Sequence, residues 1–165
     1  MVDNSDGNYN EIATGVTSTS YTQTGLQAGT LYKFRVRARN TFYFSDYSSE
    51  FSIIAATIPS QPSAPTTALN DDGSQVVITW DLPLDLGGLP SIDGFKLEVK
   101  TSTGTFEKDM INCNAESSSS TTCSIPVSAL KSSPFNLDNS DSVYARVTAV
   151  NSIGDSPTSE EGNGA

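Results

Sequence analysis

The feature that most constrains this chain is a strand written twice. Within residues 31–40, Leu-Tyr-Lys-Phe-Arg-Val-Arg-Ala-Arg-Asn, apolar and cationic side chains alternate from Tyr32 to Arg39. Residues 143–151 repeat the pattern, and Val36-x-Ala38-x-Asn40 returns 111 residues later as Val147-x-Ala149-x-Asn151. A period of two marks a half-buried β-strand. Its return after about one small domain plus a connection predicts two copies of one β-rich unit.

The remaining segments agree. Residues 75–80 and 92–99 read as clear strands, and residues 11–16, 20–26, 51–57, 106–111 and 122–127 as weaker ones. Gly, Pro, Asn, Asp and Ser separate them, the pattern of an antiparallel all-β sandwich. Helical periodicity is almost absent, apart from one short turn over residues 127–130. Pro59, Pro62 and Pro65 forbid a central strand or helix between residues 58 and 65. That stretch reads as a short stiff linker leading into an edge strand.

Charge narrows the function. Nine cationic and nineteen acidic residues give a formal net charge of −10. That balance argues against a nucleic-acid or anionic-membrane partner, both of which call for a strong excess of positive charge. No histidine is present, which excludes imidazole bases and imidazole metal ligands. Ser and Thr make up about a quarter of the chain, a proportion common in secreted β-proteins. No stretch is long and apolar enough to span a bilayer. The first residues, Met-Val-Asp-Asn-Ser-Asp-Gly, have neither the basic start nor the apolar run of a signal peptide.

Particular residues carry a family resemblance. Gly25-Leu26-x-x-Gly29-Thr30-x-Tyr32-x-Phe34-x-Val36-x-Ala38-x-Asn40 resembles the E–F corner and F strand of a fibronectin type III domain. Pro62-x-Ala64-Pro65, then Val77-x-x-Trp80-x-x-Pro83, then Ile92-x-Gly94-Phe95-x-Leu97-x-Val99 is similar to strands A, B and C of another copy. The resemblance implies two tandem immunoglobulin-like sandwiches, with Tyr32 as a tyrosine corner and Trp80 as the core tryptophan. On this reading residues 1–57 hold strands C′, E, F and G and lack A to C. Residues 58–65 are the linker, and residues 66–165 hold A to F and lack G. Val143 stands where the first copy has Tyr32. The paired pattern looks like the long, repetitive extracellular fibronectin-type proteins of ciliates and other protists.

Cys113 and Cys123 are placed to close a loop as a disulfide, which stabilises by roughly 3 kcal/mol on loop-entropy grounds. The alternative is two free thiols in a reducing cell. Lys33, Arg35, Arg37 and Arg39 put four of the nine cations on one strand face, a candidate charged interface. Residues 1–57 carry a net charge of −1 and residues 58–165 carry −9, an asymmetry suited to end-to-end alignment of subunits. The stripe also suits anionic glycans, or a solvated face paired with local carboxylates. Asp71, Asp72, Asp81, Asp85 and Asp93 fall near turns, where aspartate serves either calcium or the turn itself. Ser60, Ser63, Thr66, Thr67, Ser117, Ser118, Ser119, Ser120, Thr121 and Thr122 lie in Pro-rich or low-complexity stretches that suit O-glycosylation. No Asn-x-Ser/Thr sequon exists.

No nucleophile elbow, phosphate loop or dinucleotide fingerprint is present, so the expectation is a non-enzyme without cofactor or metal. Half a sandwich exposes an apolar face and an unpaired edge. The leading expectation is therefore a structural protomer of an extracellular or cell-surface fibre or coat. Its incomplete sandwiches are finished by neighbouring subunits or adjacent chain, giving a self-associating array without membrane insertion. The second expectation is an adhesion or ligand-binding module that uses residues 84–91 or the arginine stripe. A third is an accessory module of a secreted enzyme.

Overall fold

Proline placement and strand alternation divide the chain into two units, Met1–Thr57 and Ile58–Ala165. The computed structural model describes residues 1–3 and 7–165.

The first unit is one antiparallel sheet in the order β2-β1-β3-β4. It comprises β1 (Val2–Asp3), β2 (Tyr9–Asn10), β3 (Leu31–Phe34) and β4 (Phe51–Ile54). Val2 lies opposite Phe34, which lies opposite Phe51, and Tyr32 lies opposite Ile53. Directly opposed residues share a face, so these side chains form one apolar surface. Val2–Asp3 pairs with β3 in the place expected of strand C, so that strand is represented by two residues. Residues 11–16 and 20–26 were expected to be strands, yet they make no ladder. They would pair in an opposing sheet that residues 1–57 do not supply, and an isolated strand leaves its backbone groups to water.

The second unit has two layers. Strands β5 (Thr66–Leu69), β6 (Gln75–Thr79) and β9 (Thr122–Pro126) form one sheet in the order β5-β6-β9. Strands β7 (Gly94–Lys100), β8 (Phe106–Glu107), β10 (Ala145–Asn151) and β11 (Gly154–Asp155) form the other, in the order β11-β10-β7-β8. Alternate residues of β6, β7 and β10 fill the gap: Val76 and Ile78, Phe95, Leu97 and Val99, and Ala145, Val147 and Ala149 are all buried. Trp80 meets Phe95 edge-to-face at 5.4 Å between ring centroids. Its indole N–H is buried without a hydrogen-bond partner among the described residues. A single helical turn, α1 (Val127–Leu130), follows β9 and plugs Leu130 into the core.

The all-β sandwich expectation stands, but the expected lack of a last strand in the second unit is corrected. Ser156, Ser159 and Gly162 donate their backbone N–H groups to the carbonyls of Ala149, Val147 and Ala145. Val143 and Ala165 exchange backbone hydrogen bonds in both directions. The segment therefore runs beside β10, with three of its residues matched to every two of the strand. The reverse bonds use side chains: the N–H groups of Val147 and Ala149 donate to the hydroxyls of Ser159 and Ser156 at 2.9 Å. The first unit does the same 111 residues earlier, where Val36 donates to Ser48 Oγ at 3.1 Å and Ala38 to Ser45 Oγ at 2.9 Å. Serine hydroxyls stand in for ladder carbonyls, so no apolar alternation is needed.

Candidate interaction surfaces

The first surface is the apolar face of the β2-β1-β3-β4 sheet. Phe51 is 65% exposed there, and Val36 just beyond β3 is 70% exposed. Val147, the repeat partner of Val36, is fully buried beneath the β5-β6-β9 layer. Val36 and Phe51 thus lie open where the second unit has a covering sheet, while Val2 on the same face of the first unit is buried. Tyr32 is buried, and its hydroxyl accepts the Gln27 N–H at 2.9 Å, tying the preceding turn to β3. That is the corner role the sequence implies, and Val143 has no hydroxyl with which to repeat it.

The second surface is the opposite face of the same sheet and of the segment that continues β3, which carries Lys33, Arg35, Arg37 and Arg39. Aromatic rings from two other segments slot between these cations. The Arg35 guanidinium lies 3.7 Å from the Tyr9 ring centroid and 4.2 Å from that of Tyr47. Arg37 lies 3.9 Å from Phe44 and 5.0 Å from Tyr47, and Arg39 lies 5.1 Å from Phe44. The result is a ladder in the order Tyr9, Arg35, Tyr47, Arg37, Phe44, Arg39. Each such contact contributes about 0.5–1 kcal/mol at an exposed site. Glu50 accepts a hydrogen bond from the Tyr9 hydroxyl at 2.6 Å, which pushes the phenol up to about 12. Lys33–Glu50 and Arg37–Glu11 pair loosely, at 3.9 and 3.8 Å. Among the described residues no carboxylate lies within 4 Å of Arg35 or Arg39, and Arg35 Nε is buried without a partner. Tyr9, Phe44 and Tyr47 escaped the sequence reading. The signal was the run Phe42-Tyr43-Phe44-x-x-Tyr47 beside the arginine strand.

The matching face of the second unit is closed by its own carboxylates. Arg146, the repeat partner of Arg35, bonds Glu98 at 2.8 Å and lies over Phe106 at 4.1 Å. Lys100 bonds Glu161 at 2.9 Å, and Lys96 bonds Asp155, which raises the Lys96 ammonium above its ordinary value.

Cys113 and Cys123 form a disulfide with their Cα atoms 5.6 Å apart, pinning the segment before β9 to that strand. The loop lies across the start of β7, where Phe95 N–H donates to the Ala115 carbonyl at 2.9 Å. A Cβ on Gly94 would sit 2.3 Å from the Glu116 carbonyl oxygen, so only glycine lets the loop close. Lys108 hydrogen-bonds Glu116 and holds its carboxyl below the usual range.

Of the candidate glycan acceptors, Ser63, Thr66, Ser117, Ser119, Ser120 and Thr122 are exposed, and Ser60, Ser118 and Thr121 are half-buried. Thr67 is corrected: it is 3% exposed, and its hydroxyl donates to the Val143 carbonyl at 3.0 Å. The aspartates act as turn residues. The Ser74 hydroxyl, and after it the Ser74 N–H, hydrogen-bond the Asp72 carboxyl and lower it, and Asp85 accepts the Gly87 N–H. Among the described residues no group of three or more potential metal ligands converges. No helix is long and apolar enough to cross a membrane. Leu84 is fully exposed on the loop between β6 and β7. That loop is pinned where Ser60 N–H meets the Asp85 carbonyl and where Asn151 donates to the Leu86 carbonyl.

Residues 2–54 match the family model of the fibronectin type III domain. The human protein Myomesin-2 is 38% identical over 78 residues, which is 45% of this chain and 5% of that protein. The striated muscle M-protein of Gallus gallus is 41% identical over 70 residues, 40% of this chain and 5% of that protein. This chain therefore spans about 5% of the length of these relatives. A crystal structure of titin domains shares the fold with a TM-score of 0.52 at 21% identity, covering 82% of this chain and 40% of that one. Residues 2–54 are thus similar to a fibronectin type III domain, and the chain as a whole is all-β with a sandwich fold shared with the titin domains.

Proposed function

We propose that this chain is a structural or adhesive module from a longer tandem protein, with Ile58–Ala165 a second domain of the same family. Its finer role is that of a repeating unit in an extracellular, O-glycosylated fibre or coat of the kind protist arrays form. The open face of residues 1–57 is closed by strands from adjacent chain or a neighbouring subunit, building an end-to-end array without catalysis or cofactor. One observation carries the reading: Val36 is 70% exposed where its repeat partner Val147 is fully buried. Covering such a face gains roughly 25 cal/mol per Å² of apolar surface removed from water. The disulfide supports an oxidising, extracellular setting. The likeness to a striated muscle protein supports a structural role.

The test is hydrogen exchange across residues 31–38 over a hundredfold range of protein concentration, with sedimentation in parallel. Subunit completion predicts that protection and mass rise together. Completion by adjacent chain predicts that protection appears only when further domains are covalently joined. Full protection throughout residues 1–57 in a dilute monomer overturns both.

A second reading, as a ligand-binding module, rests on Leu84, which stands fully exposed on a loop pinned at both flanks.

A further inference from the structure

Beyond the end of β3 the chain carries guanidinium groups at positions 35, 37 and 39, on alternate residues of the segment that continues the strand. Alternate residues of an extended chain repeat about every 6.6–6.8 Å. An extended acidic segment with carboxylates on alternate residues has the same repeat, so the two rows match without distortion. The arginines are also held in place. Rings of Tyr9, Tyr47 and Phe44 fix their planes, so a ligand meets donors that have already lost most of their rotamer freedom. The flat fork of each guanidinium fits a carboxylate with two parallel hydrogen bonds.

The second unit supplies an internal comparison. On its matching face Lys96, Lys100 and Arg146 are each taken by a carboxylate from a neighbouring strand or segment: Asp155, Glu161 and Glu98. The first unit has five carboxylates against its four cations, of which Glu50 and Glu11 pair with Lys33 and Arg37, while the buried Asp3 accepts the Gly7 N–H at 3.0 Å. Neither Arg35 nor Arg39 has a carboxylate within 4 Å among the described residues, and Arg35 Nε is unpartnered.

We propose that the segment 35–39, which continues β3, docks an acidic protein segment in extended conformation, with carboxylates on alternate residues pairing to Arg35, Arg37 and Arg39. The inference rests on residues 1–57 acting as an interaction module. It uses the face opposite the apolar one, so either can fail while the other stands.

The test titrates the full chain with two blocked ten-residue Glu/Thr peptides of equal charge. One has Glu at its first, third, fifth and seventh positions; the other has Glu at its first, fourth, seventh and tenth. The alternating peptide is expected to bind at least tenfold more tightly, to weaken with added salt, and to shift the Arg35 and Arg37 Nε–H resonances. The double variant Arg35→Gln, Arg37→Gln is expected to lose at least tenfold in affinity. If it fails to fold, Arg37→Lys keeps the charge without the fork and is expected to lose severalfold. Equal affinity for the two peptides, or unmoved arginine resonances at millimolar peptide, overturns the proposal. So does a sulfated oligosaccharide of equal charge that displaces the peptide at lower concentration, which assigns the face to polysaccharide.

Discussion

At the scale of single residues, the informative positions are those where chemistry and geometry meet away from any apolar pattern. Tyr9 is one. Its hydroxyl donates to Glu50, and this bond favours the neutral phenol, pushing its ionisation from 10 up to about 12. The contribution to stability is complete below pH 10 and is lost as pH rises through 12. In a spectrophotometric titration one of the six tyrosines is therefore expected to ionise about two pH units late. Glu50→Gln is expected to return it towards 10. A titration in which all six ionise together around 10 contradicts the geometry. Tyr32 and Trp80 were legible in the sequence, because each sits at a fixed offset from an alternating strand. Tyr9 was not, because nothing local to it reveals that Arg35 lies over its ring. Thr67 misled for a related reason: its proline-rich neighbourhood suggests exposure, while its place on β5 turns the hydroxyl inward.

At the scale of elements, strands with period two were readable and the last segment of the second unit was not. Residues 75–80, 92–99 and 143–151 carry apolar side chains on alternate positions, and all three form core strands. The segment after β10 advances three residues for every two of its partner and bonds through Ser156 and Ser159, so its sequence shows no alternation. A search for apolar strands passes over it. The disulfide loop belongs to this scale too. Gly94 is required because the loop backbone presses on β7 where any side chain would project. Gly94→Ala is expected to cost about 1–3 kcal/mol by forcing the loop away. Reduction of the disulfide is expected to cost roughly 3 kcal/mol. Chemical denaturation of each variant and of the double perturbation checks this. Both changes release the same loop, so the combined loss should fall short of the sum. Strict additivity would mean that the loop is held independently at its two ends.

At the scale of the whole molecule, the two units share a strand pattern and differ in closure. Unit Ile58–Ala165 buries its core between two sheets, while unit Met1–Thr57 has one sheet and an open face. Stability follows buried apolar area. The expected outcome is that amides of residues 31–34 exchange far faster than those of β7 and β10 in a dilute, uncomplemented chain. Heating should release the first unit well before the second. A single transition shared by both units would show that the open face is already covered. The sequence disclosed the repeat and the missing layer together, because strands can be counted. It said less about the outer face, where rings from residues distant in the chain decide how the arginines are held.

The serine hydroxyls beside each long strand have a consequence for neighbours in a row. A regular edge offers its carbonyls at even steps, and any passing strand of suitable length can zip onto it. Here the bordering segment spends three residues on every two of its partner, and two of its bonds end in side chains. A look-alike strand from the next unit finds no continuous track to copy. Tandem copies of one sequence live at high local concentration, where exchange of equivalent strands is the commonest error. The second unit is thereby marked as finished on that side, which keeps a neighbour of like sequence from trading strands with it.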